Sequence, residues 1–468
     1  MMLETLMKVN EWWETKEIPK ELVPETKRNV FSEIVDMMDD RRIIAIVGPR
    51  RTGKTTTMFQ LMDMLIKEKR VNPKNILFFS CDDVDLRGRE DLIGEAIRLY
   101  FEEFLKLDYR AEKCYIFIDE IHWIKDWQLW LKKFYDLKYN IKFIISGSSA
   151  AKIKQEQRES LAGRIMEFTV FPMTFSEFLG FCGIKIDKIP LNQITYEKLK
   201  AVREKLGPKR VLEIKKLLDE YLIVGGLPEW FETKNLVKWQ KKLREDVIKR
   251  VVYDDIATLY GVKNTSKIEA LLMLISSLQS RIYSYNSIAS TLKIDNETAA
   301  QYISYLKESF ILFELRNYAA SKEKQLRKNY KYVIFDSGIR NSLERINDLR
   351  KGDTGYILES AVGQHFVWNA DMEPTEVFYW REKELEVDFI VKGKNIIPIE
   401  VKYQSNISAR DLNGLTRFME SFRITRGVLV TKELFEKRDV DGKEILLIPA
   451  WFFLLFWNFT SASGEASE

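Results

Sequence analysis

Three groups of residues in this chain have types and spacing suited to chemistry. Gly48-Pro49-Arg50-Arg51-Thr52-Gly53-Lys54-Thr55 fits Gly-x-x-x-x-Gly-Lys-Ser/Thr, a loop whose backbone N–H groups wrap phosphates. Lys54 is expected to reach the β- and γ-phosphates of ATP and Thr55 to ligate Mg²⁺. From Thr56 a helical pattern follows, and its N-terminus adds positive potential. The second group is Asp119-Glu120, which closes the apolar run Tyr115–Ile118. A carboxylate at the C-terminal end of a buried strand sits beside the phosphate crevice. Asp119 is expected to hold Mg²⁺ directly or through water, and Glu120 to orient and polarise the attacking water. The third group is Glu359, Asp388, Glu400 and Lys402. Carboxylates on neighbouring strands can share Mg²⁺ or Mn²⁺. The metal would polarise a scissile phosphate and acidify a bound water, Lys402 would stabilise the developing charge, and Glu359 would complete the shell.

These groups need particular elements to hold them. Ile43–Val47 (IIAIV) reads as a buried strand leading into the loop, with a helix from Thr56 to Lys69 behind it. Ile76–Ser80, Tyr115–Ile118 and Ile141–Ile145 are further buried-strand runs. Their alternation with helical patterns predicts an α/β fold, a parallel sheet with helices on both faces. Ser146 follows the run at Ile141–Ile145 within Ser146-Gly-Ser-Ser149. It either senses the γ-phosphate or positions the water, or it belongs to a plain helix-start turn. His122 has either a proton role or a packing role. The stripe Trp123, Trp127, Trp130 and Phe134 has helical spacing and reads as core.

Towards the C-terminus, Gly355–Ala370 is a helical pattern carrying Glu359. Val377–Arg381 is a strand, and Asp388 and Glu400 fall on two strands joined by a turn at Lys392–Asn395. Glu400 and Lys402 alternate onto one face. The run Ile445–Trp457 is too short for a membrane span. It reads as a buried strand followed by a helix started by Pro449.

Composition narrows the function classes. The chain has 468 residues, 74 Lys+Arg against 70 Asp+Glu, and a net charge of +4, which excludes a polycation or an acidic-tail protein. It is 46% hydrophobic and 31% charged, the profile of a globular chain with ample core. Two His and three Cys without a Cys-x-x-Cys pair exclude zinc fingers and catalysis built on several histidines. Scattered cysteines, with neither a signal peptide nor an apolar span, point to a cytoplasmic protein with no membrane partner.

The middle of the chain, 181–262, is helix-rich and charged and reads as a lid over the nucleotide. Within 263–325, Thr265–Ser280, Tyr285–Leu292 and Asp295–Phe310 are helical patterns followed by a strand pair. This resembles a winged helix-turn-helix. Asn296, Thr298 and Gln301 would face a groove, and Lys322, Lys324, Arg327, Lys328 and Lys331 would contact phosphates. The recognition helix has few basic residues, so either DNA reading or protein contact suits it.

The loop GPRRTGKT, the segment IFIDEIHWIKDW and the strand end ISGSSA resemble AAA-like P-loop ATPases of the signal-transduction type. Ser160-Leu-Ala-Gly-Arg164 with FTVFPMTFSEFL resembles an archaeal and bacterial family that joins such an ATPase to a nuclease-like C-terminal domain. Val224-Gly-Gly-Leu-Pro228 is similar to the Gly-x-Pro element of that group's lid. The resemblance implies Arg164 as a phosphate-sensing or finger-like arginine, with a structural ion pair as the other reading, and places 18–28 near the adenine. A trans role for Arg164 would imply a homo-oligomer. The third group resembles the PD-(D/E)XK nuclease core, with Val387 in place of its Pro. The expected organisation is an ATPase core over 1–180, a lid over 181–262, a winged helix over 263–325, a nuclease-like domain over 326–460 and a disordered tail over 461–468. The expected function is Mg²⁺-dependent ATP binding and hydrolysis that controls a DNA-interacting nuclease-like module. The alternative is a regulatory switch that binds a protein partner through a silent nuclease fold.

Overall fold

The computed structural model describes residues 2–89, 91–148, 161–186, 195–278, 281–319, 321, 329–349, 354–372 and 375–455. Ser149, Ser160, Lys322, Lys324, Arg327, Lys328 and the tail 461–468 lie outside the described residues. Two compact units are present: Met1–Phe171 with Glu308–Phe310, and Pro172–Lys307 with Ile311–Glu468.

In the first unit, β1 (Ile43–Val47), β2 (Ile76–Ser80), β3 (Cys114–Asp119), β4 (Ile141–Gly147) and β5 (Ile165–Thr169) form a parallel sheet in the order β2-β3-β4-β1-β5. The residues of β1 and β3 are buried throughout, as strands covered on both faces require. Sequence reading anticipated the first four strands within two residues. It did not identify β5, whose residues are only half-buried and pair with β1 alone. The edge of β2 is covered by the N-terminal segment. Asn10 Nδ2 donates to the Phe78 carbonyl (2.8 Å) and its Oδ1 accepts the Phe78 N–H (2.7 Å). Trp12 and Trp13 both donate their indole N–H to the Ile76 carbonyl. That covering blunts an otherwise open strand edge. Of the aromatic stripe, Trp127 and Phe134 are buried as expected.

In the second unit, the described strands are β6 (Ile282–Tyr283), β7 (Leu312–Asn317), β8 (Tyr330–Ile334), β9 (Glu376–Glu382), β10 (Leu385–Lys392), β11 (Ile396–Lys402), β12 (Arg426–Thr431), β13 (Glu436–Val440) and β14 (Lys443–Pro449). They form a mixed sheet in the order β13-β14-β12-β11-β10-β9-β7-β8-β6. β10 and β11 are antiparallel and meet at Lys392↔Ile396, so the turn lies where the sequence puts it. Three helices, Thr265–Ser277, Tyr285–Leu292 and Asn296–Glu308, accompany the antiparallel set β7-β8-β6, with β6 between the first two helices and β7 and β8 after the third. Asp295 caps the third by accepting the Thr298 N–H (2.8 Å). The run after Ile445 is β14, then a buried helix Ala450–Phe453 begun by Pro449. No described helix is long and apolar enough to cross a membrane.

His365, fully buried on the helix Thr354–Met372, links the helix Phe175–Phe181 to this core. Its Nε2 accepts the Phe175 N–H (2.9 Å), and its Nδ1 lies 2.7 Å from the Ala361 carbonyl, to which it donates in the tautomer this requires. Burial lowers its pKa from 6.5 to about 4. The unfolded chain takes up this proton near pH 6.5 and the folded chain only near 4, so stability present above 6.5 is lost as pH falls through that window. A native histidine should therefore show an acid-dependent loss of up to about 3 kcal/mol relative to His365→Gln, read as the difference between their denaturation curves from pH 7 to 4. The same difference at both pH values would contradict this.

Candidate functional site

The loop between β1 and the helix Lys54–Lys67 has a shape that depends on its glycines. Gly48 has φ of +145°, and a Cβ there would lie 2.3 Å from the Val170 carbonyl oxygen. Gly53, at φ +93°, precedes the helix as its N-cap. Thr52 Oγ1 donates to the Pro49 carbonyl (2.9 Å), and Arg28 Nη1 to the Thr52 carbonyl (2.6 Å). Lys54 folds back onto the loop, its ammonium 3.0 and 2.9 Å from the Gly48 and Pro49 carbonyls. Within the segment 18–28, the Pro24 and Thr26 carbonyls accept from Gln60 Nε2 on the same helix.

The adjacent strand ends supply the acidic pair. Asp119 closes β3, and its Oδ2 accepts from Thr55 Oγ1 (2.8 Å). Ser146, on β4, bonds Asp119 Oδ1 through its hydroxyl and accepts the Glu120 N–H (3.1 Å). One hydroxyl thus ties the two carboxylate residues together, a role beyond that of a helix-start turn. Glu120 has a left-handed backbone, φ +49°. Its Oε2 accepts the Ser148 N–H (3.2 Å) and lies 3.2 Å from Nδ1 of the buried His122. Burial and the neighbouring Glu120 push the Asp119 pKa up. Burial would also raise Glu120, but Lys54, His122 and Arg50 outweigh it and hold Glu120 below the usual glutamate range. A buried aspartate pressed by a second carboxylate, with a threonine hydroxyl beside it, fits a place for Mg²⁺ next to a nucleotide.

In the second unit, Glu359, Asp388, Glu400 and Lys402 come together as expected and line a cleft of about 620 Å³. The structure adds Lys331, and this corrects the expectation that it contacts phosphate with a surface cluster. It is fully buried on β8. Its ammonium pairs with Glu359 and lies 3.1 Å from Glu386 and 3.2 Å from Asp388. Burial disfavours its charge, but Glu359, Asp388 and Glu386 outweigh burial and raise its pKa well above the ordinary lysine value. Asp388 Oδ2 accepts the Val401 N–H (2.9 Å), Glu400 Oε2 accepts the Asp388 N–H (3.2 Å), and Glu400 Oε1 pairs with Lys402 (2.6 Å). All four oxygens of Asp388 and Glu400 therefore already have protein donors. The carboxylates of the expected metal shell are met here by two ammonium groups, Lys331 at Glu359 and Asp388 and Lys402 at Glu400. Among the described residues no group of three or more His, Cys, Asp or Glu is placed to hold a metal.

Residues 40–179 match the family model described as an AAA domain. This segment carries a P-loop ATPase-like domain, as its loop and strand order indicate. Residues 215–350 and 354–451 match two domains of unknown function, DUF8612 and DUF4143. An uncharacterized protein of Haemophilus influenzae is 23% identical over 448 residues, covering 91% of this chain and 98% of its own. Two uncharacterized proteins of Methanocaldococcus jannaschii are each 26% identical, over 91% and 88% of this chain and 88% and 87% of theirs. Among solved structures, a yeast Hsp104–ADP complex aligns at a TM-score of 0.31, with 15% identity over 64% of this chain and 40% of that one, a likeness too distant to argue from.

In the AAA domain, Arg164 departs from the resemblance. It precedes β5 at the start of the sheet, where its carbonyl accepts the Ile43 N–H. The phosphate loop follows the other end of β1, after Val47. Arg164 forks onto Asp136 at 2.9 and 3.3 Å, so within one chain it is an ion pair and not a phosphate contact. Arg164→Ala should leave ATP turnover by the chain within about twofold and cost no more than about 1 kcal/mol, as exposed pairs do. A phosphate-release assay beside a thermal melt checks both, and a collapse of turnover would restore the arginine to catalysis, in trans.

Proposed function

We propose that this protein binds ATP with Mg²⁺ and hydrolyses it, and that its nucleotide state controls the C-terminal nuclease-like module. The observation that carries the first part is the Ser146 hydroxyl joining Asp119 to the Glu120 N–H beside Thr55 and the glycine loop. In this reading the loop N–H groups from Gly48 to Thr56 receive the phosphates. Lys54 exchanges the Gly48 and Pro49 carbonyls for phosphate oxygens, and Arg50 and Arg51 flank them. Thr55 and Asp119 would hold Mg²⁺, which supplies charge neutralisation on the phosphates when bound. Glu120, kept ionised, orients the attacking water, while Ser146 and Ser148 hold the acidic segment in place. The Lys54→Ala chain should neither retain ATP nor release phosphate in a Mg²⁺-dependent assay, and turnover surviving that substitution would sink the assignment.

The wider organisation is part of the same proposal: core over 1–180, lid over 181–262, winged helix over 263–325 and nuclease-like domain over 326–460. Three helices, with β6 between the first two and β7 after the third, support the winged-helix reading, and β8, just beyond 325, pairs with both strands. The exposed Asn296 and Gln301 on the third helix would meet DNA. A specific observation favours the second reading, a switch that binds a protein partner through a nuclease fold that does not cut: the buried Lys331 ammonium among the carboxylates. Incubation with supercoiled and linear DNA, Mg²⁺ or Mn²⁺, with and without ATP, separates the two. Cutting lost in Glu400→Ala with Lys402→Ala would establish the nuclease. Intact DNA with ATP still hydrolysed would favour the switch.

A further inference from the structure

Lys331 pairs with Glu359 and Asp388, two of the three carboxylates expected to share a divalent cation. β8, β10 and the helix Thr354–Met372 converge on one point, and each brings a charge to it: Lys331, then Glu386 and Asp388, then Glu359. The strand Tyr330–Ile334 is otherwise apolar or aromatic and largely buried. An ammonium in such a strand is tolerable only where carboxylates meet it. Conversely, acidic side chains gathered this closely need a cation. A metal-dependent site obtains that cation from solution, whereas here the chain supplies it. The oxygens a metal would use already have one protein donor each. Asp388 receives Lys331 on one oxygen and the Val401 N–H on the other, and Glu400 receives Lys402 and the Asp388 N–H. Mg²⁺ and its relatives demand several oxygens at about 2.0–2.1 Å in near-octahedral array. Without Lys331, Asp388 Oδ1 and the paired oxygens of Glu359 and Glu386 would lose their cation and could turn to an ion.

We propose that Lys331 is a built-in cation that closes this cleft to divalent metals, so that the C-terminal unit keeps its carboxylates together without one. The inference deepens the reading of this unit as a nuclease fold that does not cut, and it rests on that reading. It predicts that removing the ammonium creates a metal site.

The test is a Mn²⁺ titration of the full-length, nucleotide-free chain, followed by the electron paramagnetic resonance of the free ion. Every sample carries Asp119→Asn so that the P-loop carboxylate does not contribute. The chain with Lys331 should bind no Mn²⁺ over a range in which Lys331→Ala binds one ion per chain, at least about tenfold more tightly. Asp388→Asn placed on Lys331→Ala should abolish the gain, and Lys331→Arg, which keeps a cation, should show none. Circular dichroism reports folding, and Lys331→Gln replaces Lys331→Ala should the latter fail to fold. Mn²⁺ binding by the Lys331 chain that disappears with Asp388→Asn overturns the inference. So does a folded Lys331→Ala that gains nothing. DNA cleavage in EDTA by a chain that binds no Mn²⁺ leaves the built-in cation standing and overturns the silent reading instead.

Discussion

Glu120→Gln should lower ATP turnover by about a hundred- to ten-thousandfold, the range for removing a positioned general base, while ATP remains bound. Glutamine keeps the shape and still accepts the Ser148 N–H, but it loses the charge that Lys54, His122 and Arg50 stabilise. The loop, Lys54, Thr55 and Asp119 are untouched, so affinity for the nucleotide should persist and the substitution should trap it. Single-turnover phosphate release measured beside equilibrium binding of a fluorescent ATP analogue separates the two effects. Equal loss of binding and turnover would mean that Glu120 shapes the site and does not act on water. Unchanged turnover would mean that Glu120 takes no part in hydrolysis, and a parent chain with no turnover to lose would be a nucleotide-gated scaffold.

Gly338→Ala should cost roughly 4 kcal/mol, the sum of overpacking and of buried hydrogen bonds left unmade. Gly338 lies in the helix Ser337–Glu344, and a Cβ there would fall 2.0 Å from the Val224 carbonyl oxygen. That oxygen belongs to the backbone and already accepts Trp239 Nε1 at 2.9 Å, so it has little room to yield. Asp336 caps the same helix through the Ile339 N–H (3.0 Å) and also accepts the Gly226 N–H (2.7 Å). Asn341 donates to the Leu222 and Ile223 carbonyls. Forcing the helix away from Val224 strains all of these contacts together. Gly355→Ala is the control, because a Cβ there meets nothing within 4 Å and the residue is helical. Chemical denaturation should show a large loss for the first variant and a neutral or slightly stabilising effect for the second. Equal effects would show that the joint relaxes freely.

The joint also explains why Val224-Gly225-Gly226-Leu227-Pro228 is conspicuous as a sequence. Gly225 has φ +80°, and a Cβ on it would meet the Asp336 carboxylate at 2.1 Å. These glycines resemble a lid element, but their packing against a helix more than a hundred residues later is not visible from spacing. His122 and Ser146 are intermediate cases. His122 lies two residues from Glu120 but Ser146 lies 26 away, so whether Ser146 holds Glu120 depends on the pairing of β3 with β4.

The phosphate loop, the strands β1 to β4, the acidic pair at the end of β3 and the hairpin that brings Asp388 to Glu400 are legible from residue order. In each case the signal is short-range: glycines where the backbone must turn, apolar runs where both faces are buried, and alternation with period two. The surroundings of Arg164 and Lys331 arise from long-range packing. Arg164 carried a family expectation, yet its place at the start of β5 puts the whole length of the sheet between it and the phosphate loop. Lys331 looked like one member of a basic surface stretch, and the one hint to the contrary was its position inside Tyr-Lys-Tyr-Val-Ile. Its partners lie 28 to 57 residues away, on a helix and on another strand. A charge is assigned by what surrounds it, and linear spacing carries no information about neighbours that separate elements bring together.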